Sequence, residues 1–173
     1  MRLHFETIII SFVYFIAGAV SLAGIAATFF YKNDLQLTIT QVQVLASVGL
    51  IPWSIKPIYG FFSDNVPIFG SHRKAYLILA GVLGSLGYFC MALFVKDFTG
   101  ALIATTISAV GFALADVTVD GIVAERRRTQ KEAGKLQSIC RASLMLGALV
   151  VAYASGVLVE KVGARNVFYV TAF

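Results

Sequence analysis

The sequence predicts an all-α, polytopic membrane helix bundle, and three observations lead to that fold class. Of 173 residues, 58% are hydrophobic and 13% charged, against roughly 45–50% and about 25% in soluble domains. The mean hydropathy is +0.83. Apolar runs long enough to cross a bilayer recur between charged linkers, given that about 20 helical residues span a ~30 Å hydrocarbon core. This composition excludes a disordered chain. A net charge of +5 on so apolar a chain points to the lipid bilayer as partner and away from nucleic acid.

The first run, from about Ile8 to Tyr31, exceeds the roughly 7–15 residues of a signal-peptide core and lacks an early small-residue cleavage pattern, so it reads as a transmembrane helix. The second extends from about Thr40 to Phe62. Within it Pro52 and Pro57 remove two backbone donors and release the carbonyls of Val48 and Trp53, which predicts a bend. The third, Ala75 to Val95, carries Gly81, Gly84 and Gly87. The fourth runs from Gly100 to Val123. The fifth, Leu136 to Val159, carries Gly147, Ala148 and Ala152. Such small faces let neighbouring helices approach closely. A sixth helix begins near Val167 and is too short by Phe173 to cross a bilayer. Residues 1–173 therefore read as one half-bundle, a fragment of a longer protein.

Cys90 and Cys140 fall inside apolar runs and read as small packed hydrophobes. His4 and His72 lie near neither cysteine, so no metal site and no cofactor are expected.

The basic residues alternate between linkers. Arg2, Arg73, Lys74, Arg126, Arg127, Arg128, Lys131 and Lys135 share one side, against Lys32, Lys96, Lys161 and Arg165 on the other. The positive-inside rule puts the amino terminus and the second and fourth linkers in the cytoplasm.

The remaining two bases, Lys56 and Arg141, lie within spans, as do Asp116 and Asp120. An ion in the membrane core costs a few kcal/mol, so each needs a partner, a wet cavity or a function. Counted along the helix from Arg126, Asp116 is about 15 Å deep and Asp120 about 9 Å. Lys56 lies about 12 Å from Asp64, and Arg141 about 9 Å from Lys135. The depths match, which pairs Lys56 with Asp116 and Arg141 with Asp120. One reading makes these pairs structural stitches; the other makes them a water-accessible binding and coupling site. The two acids are one turn apart and share a face, and their mutual repulsion favours taking up a proton or a cation.

The second linker reads Gly60, Phe61, Phe62, Ser63, Asp64, then Gly70, Ser71, His72, Arg73, Lys74. It resembles the signature loop of the major facilitator superfamily, in which an aspartate and basic residues latch one half of a transporter to the other. There glycine follows the aspartate by three residues; here Gly70 follows Asp64 by six. The longer stretch from Lys56 to Gly70 resembles the folate-biopterin transporter branch of that superfamily. So does Asp116-Val-Thr-Val-Asp120-Gly-Ile-Val-Ala-Glu125-Arg126, with its paired aspartates and terminal Glu-Arg, and so does Gly134-Lys-Leu-Gln-Ser138. In that branch an arginine commonly stands where this chain has His72.

The resemblance implies a twelve-helix carrier of folates or reduced pterins that works by alternating access with proton symport, this chain being its amino-terminal half and the carboxy-terminal half its missing partner. The membrane would be the plasma membrane or that of an organelle or plastid. Folate carries two carboxylates and a planar pterin, so its site wants cations and a stacking surface. Lys56 and Arg141 suit the carboxylates. Trp53 and Tyr59 flank Lys56 and suit stacking, or anchor the helix at the lipid interface. Asp64, Arg73, Glu125 and Arg126, with Gly60, Gly70 and Lys74, would form a cytoplasmic gate.

Asp120, Gly121, Ala124 and Arg126 resemble the start of a membrane phosphatidyltransferase motif, but Glu125 stands where arginine is needed and no aspartate follows Asp120. An intramembrane aspartyl protease needs its aspartates on two facing helices. No enzyme is expected. A carrier for another organic anion, or a receptor or assembly subunit without transport, remains an alternative reading.

Overall fold

The computed structural model describes the chain except Met1, Phe69, His72, residues 126–129 and Phe173, and leaves aside the side chains of 2–6, 9, 123–125, 130–133, 154 and 156–160. Among the described residues, eight α-helices are arranged as a bundle in which five segments are long and apolar enough to cross a membrane: Ile10–Asp34, Ile39–Asn65, Arg73–Leu93, Phe98–Ile122 and Gly134–Tyr153. The protein is a multi-pass integral membrane helix bundle. Large apolar side chains such as Phe12, Leu50, Ile78 and Leu149 point outward, whereas many buried positions are alanines. That is the pattern expected where lipid is the solvent and close backbone approach holds helices together.

The first span combines α1 (Arg2–Ala19), α2 (Ser21–Phe29) and a π-helical turn, Phe30–Asp34. In that turn Leu35 N–H bonds the Phe30 carbonyl at 3.0 Å, five residues back. The extra residue carries the helix three residues beyond the expected Tyr31.

The second span begins one residue before the expected Thr40. Thr38 caps it reciprocally with Gln41: the Gln41 N–H donates to Thr38 Oγ1, and the Thr38 N–H to Gln41 Oε1. It then breaks into α3 (Ile39–Ser54) and α4 (Lys56–Asn65) at Ile55. Pro57 is the cause, because its ring cannot lie over the Trp53 carbonyl. Pro52 stays inside α3. The expected bend is thus a single break, just before Lys56.

The third and fourth spans are α5 (Arg73–Leu93) and α6 (Phe98–Glu125), with Asp97 Oδ1 accepting the Gly100 N–H at 2.8 Å to cap α6. The longest helix, α7 (Gln130–Val162), ends at Gly163, whose φ of +84° the left-handed helix terminus requires. The short α8 (Ala164–Ala172) starts three residues before the expected Val167.

Helix α6 is central, packed against α5, α3 and α4, while α1 packs on α7 and α8 on α5 and α2. Gly84 and Gly87 supply the α5 face toward α6; Gly81, expected to share it, is exposed. Gly18 and Gly147 meet reciprocally across α1 and α7: a Cβ on either would strike the other helix's backbone, at Leu144 or Phe15. The core of the α2–α5–α8 end is aromatic, with Phe168 edge-on to Phe30 at 5.4 Å and stacked on Tyr88 at 6.2 Å.

Candidate functional site

Lys56 is the first residue of α4, immediately after the helix break, and its Nζ lies 2.5 Å from Asp116 Oδ2 on α6. The same ammonium sits 4.2 Å from the centre of the Trp53 ring, so one cation is shared between a carboxylate and an indole face. The side chains are 30% and 15% exposed. Both side chains are part-buried, so removing one partner leaves the other charge poorly compensated, at a cost below the about 3–5 kcal/mol of a fully buried pair.

One turn further along α6, Asp120 is held differently. Its Oδ1 accepts the Tyr14 hydroxyl of α1 at 2.8 Å and the Gln137 amide of α7 at 3.3 Å. Arg141, the expected partner, comes only to 4.0 Å of Oδ2, with 49% of its side chain exposed. Tyr14 and Gln137 were not expected from the sequence. A hydroxyl in the middle of an apolar helix and an amide one turn before Arg141, on the same face, were the available signals.

A cavity of about 500 Å³ lies beside this network. Its walls come from α1, α2, α3, α5, α6 and α7 and include Tyr14, Trp53, Tyr88, Phe112 and Asp116. Tyr31 also lines it, its hydroxyl 2.7 Å from Thr105 Oγ1. Asp116 is the one charged residue in the wall among the described residues. Lys56, Asp120 and Arg141 do not line it; Lys56 contacts Asp116 and Asp120 contacts Tyr14, both wall residues.

Tyr59 is not in the wall. It packs against the buried cluster of Tyr76, Ala80 and Leu114. Six residues from Trp53 at 3.6 per turn already put it about 240° around the helix. The expected stacking pair is therefore reduced to Trp53.

At the far end of α4 a second polar group forms. Ile68 and Ser71 exchange two 3.0 Å backbone hydrogen bonds, and Gly70 takes φ +73°, a conformation side-chain-bearing residues rarely adopt. This tight reversal returns the chain so that Arg73 reaches Asp64 at 3.0 Å. The Arg73 guanidinium also occupies the space beside Gly121 where a Cβ would stand, linking the loop to α6. Gly60 faces Val117 of α6, and Lys74 is exposed. Of the other expected gate residues, the Glu125 side chain and Arg126 lie outside the described residues. Among the described residues no three His, Cys, Asp or Glu side chains gather as metal ligands do.

Residues 17–173 match the BT1 family. The chain is 37% identical over 169 residues to a protein of Synechocystis named folate-biopterin transporter, covering 96% of this chain and 34% of that protein. It is 38% identical over 172 residues to a protein of Arabidopsis thaliana named probable folate-biopterin transporter 2, with 92% and 34% covered. A Plasmodium falciparum protein named folate transporter 2 is 26% identical over 170 residues, with 97% and 37% covered. The chain spans about a third of the length of these relatives. Its helical architecture, its acid–base pairs inside the spans and this match over residues 17–173 lead to one conclusion: the chain belongs to the BT1 family, the folate-biopterin transporters.

Proposed function

We propose that this chain is the amino-terminal half-bundle of a carrier that moves folates or reduced pterins across a membrane by alternating access and couples that movement to a proton. The observation that carries this reading is the Lys56–Asp116 pair bordering the cavity. Ions are retained inside a membrane protein where they serve a wet pathway, and a pair at a cavity wall can open when substrate or a proton competes for one partner. Arg141 and Asp120, already at 4.0 Å, are the looser of the two pairs and the easier to exchange. The half-bundle would rock against its carboxy-terminal counterpart about this site.

The Asp64–Arg73–Gly121 contact then serves as one side of a cytoplasmic gate, with Glu125 and Arg126 nearby in sequence. The positive-inside rule supports the cytoplasmic assignment. The relatives' names, folate-biopterin transporter and folate transporter, support the substrate class.

The test is accumulation of radiolabelled folate and of radiolabelled biopterin by cells expressing the full-length gene, with and without an imposed pH gradient. The reading predicts uptake above the external concentration that collapses with the gradient. Uptake unaffected by the gradient contradicts proton coupling, and the absence of uptake of either compound contradicts the substrate class.

A further inference from the structure

Charge and aromatic character are unevenly distributed around the cavity. Its wall holds Asp116 and several aromatic rings and, among the described residues, no Lys or Arg. Lys56 is engaged by Asp116 Oδ2 and the Trp53 face, and Arg141 faces Asp120. A folate tail with two carboxylates entering this space would meet a carboxylate and no unpaired cation. The pterin end has the opposite character: a flat bicycle with two stacking faces and an edge where the ring N3–H and the 2-amino group donate side by side.

We infer that this cavity receives the pterin end of the substrate, Asp116 accepting its donor edge and Trp53 and Phe112 covering its faces, while the glutamate tail binds elsewhere. The inference rests on the folate or pterin reading above. A carboxylate matches two parallel N–H donors in a planar, charge-assisted contact. Lys56 holds Oδ2, which fixes the carboxylate plane; Oδ1 accepts no hydrogen bond among the described residues, and Oδ2 keeps a second lone pair. Asp116 is then a specificity-determining residue, reading the donor edge, and a volume of about 500 Å³ falls within the roughly 300–1,000 Å³ of small-molecule sites. Tail-free pterins would be complete ligands of this half.

The experiment measures equilibrium binding of radiolabelled folate to the full-length carrier in proteoliposomes, with three unlabelled competitors: biopterin, p-aminobenzoylglutamate and a folate analogue lacking the 2-amino group. Biopterin is expected to displace folate at least as well as p-aminobenzoylglutamate, and loss of the amino group to weaken competition roughly tenfold or more. In Asp116→Asn that discrimination is expected to shrink to within about threefold, given the loss of the charged acceptor. The competitor series uses the unaltered protein, so it decides the matter even if the variant does not fold. Displacement by p-aminobenzoylglutamate but not by biopterin, or equal competition by the desamino analogue, overturns the inference while leaving folate binding intact. No binding of folate at all overturns the function itself, and the inference with it.

Discussion

The guanidinium of Arg73 lies where the side chain of any residue but glycine at position 121 would project. The contact joins the loop after α4 to the helix that carries both intramembrane aspartates, so the Asp64–Arg73 pair and the cavity wall are mechanically continuous through α6. Gly121→Val should expel the guanidinium and weaken the Asp64 pair. Uptake is expected to fall about tenfold, as for loss of a charge-assisted hydrogen bond, with membrane content unchanged. Adding Arg73→Ala to that variant should cost little more, because both changes remove one interaction. Additive losses would separate Gly121 from Arg73.

Tyr14 links the cavity wall to Asp120. Tyr14→Phe keeps the ring against Leu136 and Cys140 and removes one hydrogen bond to a charged acceptor, worth about 1.5–3 kcal/mol. Transport should drop by at least tenfold, whereas Gln137→Leu, which removes a longer 3.3 Å contact, should cost less. Initial uptake rates, normalised to surface protein, order the two.

On the opposite side of the expected membrane topology, Arg165 binds several groups at once. It donates to the Ala92 and Val95 carbonyls at the end of α5, lies 3.8 Å from Asp34 and covers the Phe30 ring at 5.0 Å. It acts there as a C-cap supplied by another helix. Arg165→Ala should destabilise the bundle by about 2 kcal/mol through lost charge-assisted bonds. Arg165→Lys should restore less than half of that, since an ammonium lacks the planar fork. Thermal unfolding of the full-length protein in detergent distinguishes these outcomes.

The α1–α7 contact leaves no room for side chains. Gly147→Val forces atoms into the Phe15 carbonyl, and overpacking of this kind costs roughly 1–3 kcal/mol or more. The variant should lose folded protein, read as protease sensitivity in membranes, while Gly81→Val on the exposed α5 face should not.

Much of this was legible in the sequence because lipid imposes strict conditions. Apolar runs had to be helices, and Lys56 and Asp116 had to find partners at matched depth, which they do at 2.5 Å. The helix ends were less legible. Thr38 with Gln41 is a readable cap, but the π-helical turn at Phe30–Asp34 has no counterpart in the apolar pattern. Tyr59 flanks Lys56 in sequence, but six residues from Trp53 put it on another side of the helix, so nearness along the chain did not translate into a shared face. The roles of Tyr14 and Gln137 are not legible in the sequence, because a neutral hydroxyl or amide in a span can also bond to its own helix, as Thr118 does with the Leu114 carbonyl. Only the fold decides which of them crosses to a neighbour.

The central claim is that Asp116 takes part in coupling and does more than hold Lys56. The most direct test is uphill uptake of radiolabelled folate and biopterin by the full-length carrier bearing Asp116→Asn, with surface protein measured in parallel. The account predicts that accumulation against the gradient is abolished while the protein remains in the membrane. Proton-driven accumulation equal to that of the unaltered carrier would contradict it.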